Sequence, residues 1–282
     1  MSESLDNLVE KSERLLALIA TYESCAVAFS GGVDSAVVAK AAQLALGERA
    51  VAVTGTSAAL AVGELTDAKQ LASLIGIRHV VLATEEFANP NYVANHADRC
   101  YHCKTELYSQ LGDLSDRLGV QVVANGSNAD DLGDYRPGLR AADEHKVRSP
   151  LAECGFTKRD VRALAATWNL PIAEKPATPC LSSRVAYGLQ VTPERLAMID
   201  EAERFLRSLG MAELRVRYHA DDMARIEVPL DRLPQLCQAE TRQAVVDRLT
   251  RLGFKFVTLD LAGFRSGGFT KLVPSEMLRR FS

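Results

Sequence analysis

With 282 residues, the chain is long enough for one large and one small domain. Hydrophobic residues make up 47% and charged residues 24%, as in ordinary globular proteins, and no apolar run approaches the roughly 20 residues needed to span a bilayer. The net charge of -3 argues against a nucleic-acid interface. The segment 1–20 lacks the basic and apolar regions of a signal peptide. We therefore expect a cytoplasmic protein that binds neither nucleic acid nor membranes.

Short apolar runs alternate with helical periodicity in the first half of the chain. The runs are CAVAF (25–29), AVAVT (50–54), HVVLA (79–83) and QVVAN (121–125). Continuous runs of this length, rich in Val and Ala, are typical of parallel strands covered on both faces. The segments with helical periodicity are 1–20, 36–46 and 63–76. The alternation predicts βαβ crossovers and an α/β fold with a doubly wound parallel sheet.

The pattern changes near residue 188. Thr192, Pro193 and Glu194 have the order of an N-cap, a proline at the first helical position and an acidic first turn, which predicts a helix to about residue 210. The elements expected after it are strands at 213–219 and 223–228, helical segments around 230–252 and a strand at 255–261. We predict an α/β domain over 1–188 and a smaller C-terminal α+β domain over 189–282.

The string SGGVDS (30–35) lies between the first strand and the following helix. Gly31 and Gly32 let the main chain approach a ligand closely, and the start of the helix offers unpaired N–H groups to a pyrophosphate. Ser30 and Ser35 add hydroxyl donors, and Asp34 is a suitable ligand for Mg²⁺. A plain glycine turn with a capping side chain is the alternative. The chain has neither a Walker motif nor GxGxxG, so we expect another kind of ATP site.

A second polar loop, NGSNADD (125–131), follows the fourth predicted strand. Ligands of such sheets bind beyond the carboxyl ends of the strands, which places Gly126 beside the nucleotide. Asp130 is a candidate for a second carboxylate near Mg²⁺, and helix capping is an equally weighted alternative.

Six cysteines occur, at 25, 100, 103, 154, 180 and 237. In a reducing compartment they are buried, metal-binding or catalytic residues rather than a disulfide framework. Cys25 lies in the apolar run CAVAF, and Cys154 and Cys237 have no obvious chemical neighbour in the sequence. We expect all three to be small core residues. Cys100 and Cys103 form a CxxC, which by itself is compatible with metal binding, redox chemistry or no function.

Cys180 lies in the segment KPATPCLSSR (175–184), where Pro176 and Pro179 restrict the backbone. A nearby Arg184 would stabilise a thiolate, which is the form that attacks or ligates. A core cysteine in an ordered loop is the alternative.

Arginines recur in the C-terminal part of the chain. Arg215 and Arg217 alternate along one predicted strand, so their side chains face the same side, where two guanidinium groups would suit a phosphate. Glu227 on the neighbouring strand is the alternative partner, which would make the three residues a structural salt-bridge cluster. Arg265, in GFRSGG, is a further candidate for contact with phosphate or with a neighbouring subunit.

The loop at 30–35 resembles the PP-loop of the N-type ATP pyrophosphatases, a superfamily with the adenine nucleotide alpha hydrolase-like fold. Together with RCYHCK (99–104), GSNADDLGDYRPG (126–138), KPATPCLSSR and LDLAGFRSGG (259–268), it is similar to the LarE-type sulfur transferases over nearly the whole chain. The resemblance implies that ATP and Mg²⁺ adenylate a carboxylate of pyridinium-3,5-biscarboxylic acid mononucleotide. Sulfur then replaces oxygen, in the biosynthesis of the nickel-pincer nucleotide.

The resemblance also implies roles for the cysteines. The cysteine matching Cys180 can be sacrificial in this family, leaving dehydroalanine after its sulfur is transferred. Cys100 and Cys103, together with Cys180, resemble the subgroup in which three thiolates hold a [4Fe-4S] cluster, and cysteine count favours this second arrangement. The family also implies homo-oligomers, including hexamers, with Arg215, Arg217 and Glu227 binding an anion or metal at a subunit interface. Other enzymes of the cofactor pathway are implied partners.

Three other functions compete with this interpretation. A PP-loop tRNA thiolase shares adenylation and catalytic cysteines but needs a basic RNA-binding face, which a net charge of -3 disfavours. An amide-forming relative such as NAD synthetase does not require Cys180. A regulatory ATP-binding module would have no reason to carry cysteines and arginines near the loop, and it would release no pyrophosphate.

Overall fold

The structure is a computed structural model that describes residues 2–133, 137–176 and 178–265. The elements of the first part, in chain order, are α1 (Ser2–Ala20), β1 (Cys25–Ala28), α2 (Val33–Leu46), β2 (Ala50–Thr56), α3 (Glu64–Ile75), β3 (Arg78–Ala83), α4 (Pro90–Val93), α5 (Arg99–Leu118) and β4 (Val122–Ala124). Those of the second part are α6 (Pro137–Glu144), α7 (Pro150–Glu153), α8 (Lys158–Thr167), α9 (Pro193–Ser208), β5 (Arg215–His219), β6 (Met223–Glu227), α10 (Leu233–Cys237), α11 (Ala239–Leu252) and β7 (Phe256–Leu259).

The first sheet has four parallel strands in the order β3-β2-β1-β4. Successive residues of β1 point to opposite faces. Val27 belongs to a core shared with α1, α2 and α8, whereas Ala26 belongs to a core shared with α5 and α6. Helices therefore cover both faces, and the predicted doubly wound α/β fold is confirmed. The carboxyl ends of β1 and β4, the two neighbouring strands, place the loops 29–32 and 125–128 side by side.

Helix α5 is the main element that the sequence analysis did not predict. Its mixed polar composition hid a 20-residue helix whose buried side includes Tyr108 and Leu111, packed against the sheet. Its first five residues include Cys100 and Cys103, so the CxxC lies on a helix and not in an irregular loop. Tertiary packing of one stripe stabilises such a helix although its average hydrophobicity is low.

The second sheet has the order β5-β6-β7, with β5 antiparallel and β7 parallel to β6. Its core is shared with α9 and α11, as expected for the smaller α+β part. The same core includes Tyr92, Leu181 and Val185, which precede residue 188. The domain boundary at residue 188 stays a prediction.

The burial of the three unassigned cysteines agrees only partly with expectation. Cys25 and Cys154 are buried, but Cys237 is exposed. The core interpretation of Cys237 is wrong, because α10 ends at this residue and presents it to solvent. Among the described helices, none is long and apolar enough to cross a membrane.

Candidate active site

The loop between β1 and α2 is shaped by its own backbone and hydroxyl groups. Gly31 has φ of 72°, a left-handed conformation that favours glycine. Ser35 Oγ accepts a hydrogen bond from Ser30 N at 3.2 Å and donates one to Gly32 O at 3.0 Å. Gly32 is the N-cap of α2 and provides no side-chain cap. The N–H groups at the start of a 14-residue helix therefore remain available to phosphate oxygens.

Gly126 packs directly against this loop. A Cβ atom at residue 126 would lie 2.7 Å from Ser35 N and 3.0 Å from the carbonyl carbon of Asp34. These distances are too short for van der Waals contact, so the backbone of the loop would have to shift. The structure thus gives Gly126 a packing reason for being glycine. Its predicted contact with the nucleotide stays a prediction.

Asp34 lies at the meeting point of the two loops. Asn128 Nδ2 donates a hydrogen bond to Asp34 Oδ1 at 2.9 Å. Burial raises the pKa of Asp34 above its ordinary value; the hydrogen bond from Asn128 opposes this effect and the nearby carboxylate of Asp131 adds to it. Two neighbouring carboxylates at the foot of a phosphate loop are a suitable donor set for Mg²⁺.

The second carboxylate of this pair is not the one chosen from the sequence. Asp130 is exposed, and its Oδ2 accepts a hydrogen bond from Lys158 N at 2.8 Å. Lys158 is the first residue of α8, so this contact is the helix capping that the sequence analysis gave as the alternative for Asp130. Asp131 is 4% exposed and lies 3.4 Å from Lys158 Nζ. A magnesium role for Asp130 stays a prediction, and Asp131 is the carboxylate whose charge Asp34 experiences.

The three cysteines singled out from the sequence share one neighbourhood. Cys100 and Cys180 are exposed, and Cys103 is half-buried. Burial raises the pKa of Cys103 to about 12, and Cys180, Glu86 and Cys100 act in the same direction. The thiols therefore influence one another across two distant segments. Within the described parts of the chain, no three His, Cys, Asp or Glu residues already form a metal-binding group.

Arg184 holds the Cys180 segment through its backbone. The guanidinium group donates to the carbonyl oxygen of Pro179, to that of Cys180 at 3.0 Å and to Ser183 Oγ at 3.2 Å. It is 1% exposed, with Nε 3.0 Å from Glu203 Oε1. These contacts make Arg184 a positioning residue, and stabilisation of the Cys180 thiolate by Arg184 stays a prediction.

A cavity of about 550 Å³ opens beside this segment, in the size range of small-ligand sites. Pro179 and Ser183, on either side of Cys180, line it. Six guanidinium groups contribute to its wall, those of Arg99, Arg184, Arg207, Arg215, Arg217 and Arg265. Burial, together with Arg184 and other neighbouring arginines, lowers the pKa of Arg215 to about 10. A wall with this excess of positive charge is suited to an anionic ligand.

Arg215 and Arg217, the predicted phosphate-binding pair, have different partners in the structure. Arg217 Nε lies 3.0 Å from Glu227 Oε2, whereas Arg215 stacks on Phe264 with 5.2 Å between the guanidinium carbon and the ring centroid. Glu227 Oε1 is 3.1 Å from Arg225, so each oxygen of Glu227 already has a cationic partner. Arg217 and Glu227 thus form the salt bridge that the sequence analysis gave as the alternative to phosphate binding. Metal binding by Glu227 stays a prediction. Arg265 is exposed at the cavity wall.

Comparison with known proteins identifies the family. The chain matches the NAD synthase family over residues 14–99. It is 38% identical over 277 residues, 98% of this chain and 99% of the relative, to pyridinium-3,5-bisthiocarboxylic acid mononucleotide synthase of Lactiplantibacillus plantarum. The chain belongs to this family of LarE-type synthases. The family is one of ATP-using PP-loop enzymes, and the chain is an ATP-dependent sulfurtransferase of this class.

Two further relatives show how far the LarE-type similarity extends. An uncharacterized protein of Synechocystis sp. is 44% identical over 266 residues, 94% of this chain and 99% of that protein. A tRNA-specific 2-thiouridylase of Azorhizobium caulinodans is 34% identical over 191 residues, covering 53% of this chain and 48% of that protein. The synthase and the Synechocystis protein are therefore similar over nearly the whole chain, whereas the thiouridylase matches about half of it.

Four residues of the site were not selected from the sequence: Arg99, Asn128, Asp131 and Glu203. Asn128 and Asp131 stand in the string NGSNADD, so position at a strand end could have selected them. Arg99 adjoins the CxxC. Nothing local marks Glu203, which is a helical residue on α9.

Proposed function

We propose that the protein adenylates a carboxylate of pyridinium-3,5-biscarboxylic acid mononucleotide and then converts it to a thiocarboxylate, in nickel-pincer nucleotide biosynthesis. One observation carries the proposal: an arginine-lined cavity of about 550 Å³ borders the segment that presents Cys180. A substrate with two carboxylates and a phosphate has the charge that such a wall requires. The name of the Lactiplantibacillus relative, pyridinium-3,5-bisthiocarboxylic acid mononucleotide synthase, supports this class of product.

In the first step the loop at 30–35 binds the β- and γ-phosphates of ATP through the N–H groups at the start of α2. Asp34, with Asp131 nearby, would hold Mg²⁺, which would neutralise the phosphate charge. A carboxylate oxygen of the substrate attacks the α-phosphorus, and the bond to the bridging oxygen breaks. The products are an acyl-adenylate and pyrophosphate. The arginines bind the phosphate and carboxylates of the substrate by charge-assisted hydrogen bonds.

In the second step sulfur displaces AMP from the acyl-adenylate, and Cys180 is the residue placed to deliver it. With a sacrificial Cys180, its thiolate attacks the carbonyl carbon and AMP leaves. Removal of the Cα proton then breaks the Cβ–S bond, which leaves dehydroalanine in the chain and a thiocarboxylate on the product. The cysteine would be consumed once per sulfur.

We favour a second source, in which Cys100, Cys103 and Cys180 hold a [4Fe-4S] cluster. Cysteine thiolates are the usual ligands of such clusters, and besides burial both Cys180 and Cys100 raise the pKa of Cys103. Cys100, Cys103 and Cys180 would hold the cluster, which would supply a site for the sulfide to be transferred. Lys104 and Arg99, whose pKa values respond to the same thiols, provide positive charge beside the anionic ligands.

Anaerobic purification with iron and sulfide assays, and intact mass before and after turnover, tests the sulfur source. A protein with bound iron and unchanged mass supports the cluster, whereas loss of one sulfur per chain supports sacrifice of Cys180. Pyrophosphate release that depends on the biscarboxylic mononucleotide tests the function itself. Release with tRNA and none with the mononucleotide would instead support a tRNA thiolase.

The arrangement of the chain in the cell completes the proposal. We propose that residues 1–188 carry the nucleotide site, that residues 189–282 contribute most of the arginines, and that subunits assemble into a homo-oligomer, a hexamer by family analogy. The protein would act in the cytoplasm beside the enzymes that make its substrate and use its product. Analytical ultracentrifugation measures the assembly, and a monomer would contradict this part of the proposal.

A further inference from the structure

Arg99 is a buried cation at the wall of the arginine-lined cavity. It is the first residue of α5 and is 4% exposed. Its Nη1 donates to Asn95 Oδ1 and, at 2.8 Å, to the carbonyl oxygen of Ser182. Among the residues that the structure describes, no carboxylate pairs with it. By contrast, Arg184 of the same cavity wall has Glu203, and Arg217 has Glu227.

The remaining donors of Arg99 are free to bind a ligand. Nη1 makes both protein contacts, and Nε and Nη2 donate to no residue in the described ranges. This edge of a guanidinium group carries two parallel N–H bonds, which match the two oxygens of a carboxylate. Arg99 also lines the arginine-lined cavity. Because a buried charge is costly unless it is paired, the geometry calls for an anion at this edge.

Arg99 is held rigidly between the cavity and the cysteines. Asn95, which anchors it, is fully buried with φ of 56°, and its Nδ2 donates to the carbonyl oxygen of Ala186 at 2.9 Å. Ser182, which accepts the hydrogen bond, stands two residues after Cys180. The guanidinium group is thus preorganised beside the sulfur chemistry.

We propose that Arg99 binds, through Nε and Nη2, the substrate carboxylate that does not react in that round, and so turns the other carboxyl group towards Cys180. The ligand class is a pyridinium ring with two carboxyl groups in meta relation. The non-reacting group keeps its charge through adenylation and sulfur transfer, so it provides a constant counter-charge for the buried cation. The inference rests on the proposed function, because it assumes this class of substrate.

The test compares two ligands that differ by one carboxylate. Calorimetry measures the dissociation constants of pyridinium-3,5-biscarboxylic acid mononucleotide and of nicotinic acid mononucleotide for the wild-type protein and for Arg99→Met. We expect the wild type to prefer the biscarboxylic ligand by about 10- to 100-fold, the range of a charge-assisted pair. In Arg99→Met this preference disappears, while affinity for nicotinic acid mononucleotide stays within a few-fold.

Tyr92→Phe is the matched structural control. It removes the hydroxyl that lies 2.7 Å from Ser182 Oγ, which loosens the same segment without changing charge, and it should keep the ligand preference. Thermal melting monitors folding. Should Arg99→Met fail to fold, Arg99→Lys is measured instead. Lysine keeps the charge but lacks the planar guanidinium group, so the preference for the biscarboxylic ligand should fall several-fold.

An unchanged preference in the folded Arg99 variant would overturn the inference, and so would a wild type that binds both ligands equally. Neither result would contradict the proposed function. A wild type that binds neither mononucleotide would overturn both.

Discussion

Arg184 and Glu203 form an ion pair with 3.0 Å between Nε and Oε1, and each side chain is only 1% exposed. Glu203 also pairs with Arg207 at 2.8 Å and accepts a hydrogen bond from Val216 N at 3.1 Å. Arg184 in turn donates hydrogen bonds to the carbonyl oxygens of Pro179 and Cys180. Helix α9, which carries Glu203, thereby fixes the loop that contains Cys180, the candidate sulfur-delivering residue.

Glu203→Gln should destabilise the protein by about 3–5 kcal/mol, because it leaves the buried guanidinium group of Arg184 without its counter-charge. Urea unfolding measures the change in free energy. The matched control is Glu201→Gln, which breaks a pair with Arg248 whose side chains are about 40% exposed; we expect a change within about 1 kcal/mol. Equal effects of the two substitutions would show that burial of the Arg184 pair does not matter.

Cys180→Ala should abolish sulfur transfer and leave adenylation measurable, because the thiol acts after pyrophosphate has left. Pyrophosphate release and thiocarboxylate formation are measured in the same reaction. Cys237→Ala replaces another exposed cysteine and should change neither. Sulfur transfer by the Cys180 variant would refute the assigned role.

Asp34→Ala should remove adenylation, since the variant loses the carboxylate placed to hold Mg²⁺. The wild type should also lose adenylation as pH falls, at a higher pH than an ordinary aspartate would cause, because burial raises the pKa of Asp34. Protonation removes the charge that binds the cation, so excess Mg²⁺ should move the midpoint to lower pH. Normal pyrophosphate release by Asp34→Ala would rule out the magnesium role.

Gly126→Ala should reduce adenylation at least about tenfold, as a 1.4 kcal/mol distortion of the loop suffices for that. Its Cβ would meet Ser35 N at 2.7 Å and push the loop away from its phosphate-binding shape. Gly112→Ala is the control: no atom lies within 4 Å of the added Cβ, and alanine favours the helix at this site. Pyrophosphate release at saturating ATP measures both, and full activity of the Gly126 variant would contradict the packing argument.

The family was predicted from motifs spread over nearly the whole chain. Local patterns were enough to predict the alternation of strands and helices and to propose a phosphate loop at residues 30–35. Each depends on neighbours in the sequence: valine-rich runs predict buried strands, and two glycines between a strand and a helix can form a phosphate loop whatever lies elsewhere. The candidate ligand site could be placed at the end of β1 because ligands of parallel sheets bind at the edge formed by the carboxyl ends of the strands.

Only the tertiary structure decided which partner each polar group has. Sequence could not show that Asp130 caps α8 while Asp131 affects Asp34, or that Glu227 belongs to Arg217 and Arg225. It also could not show that α5 brings Cys100 and Cys103 towards Cys180. Nor could it show that Arg99 is buried with no acidic partner among the residues that the structure describes. Charge pairing and burial depend on distances between segments that are far apart in the chain, and local propensity carries no information about those distances.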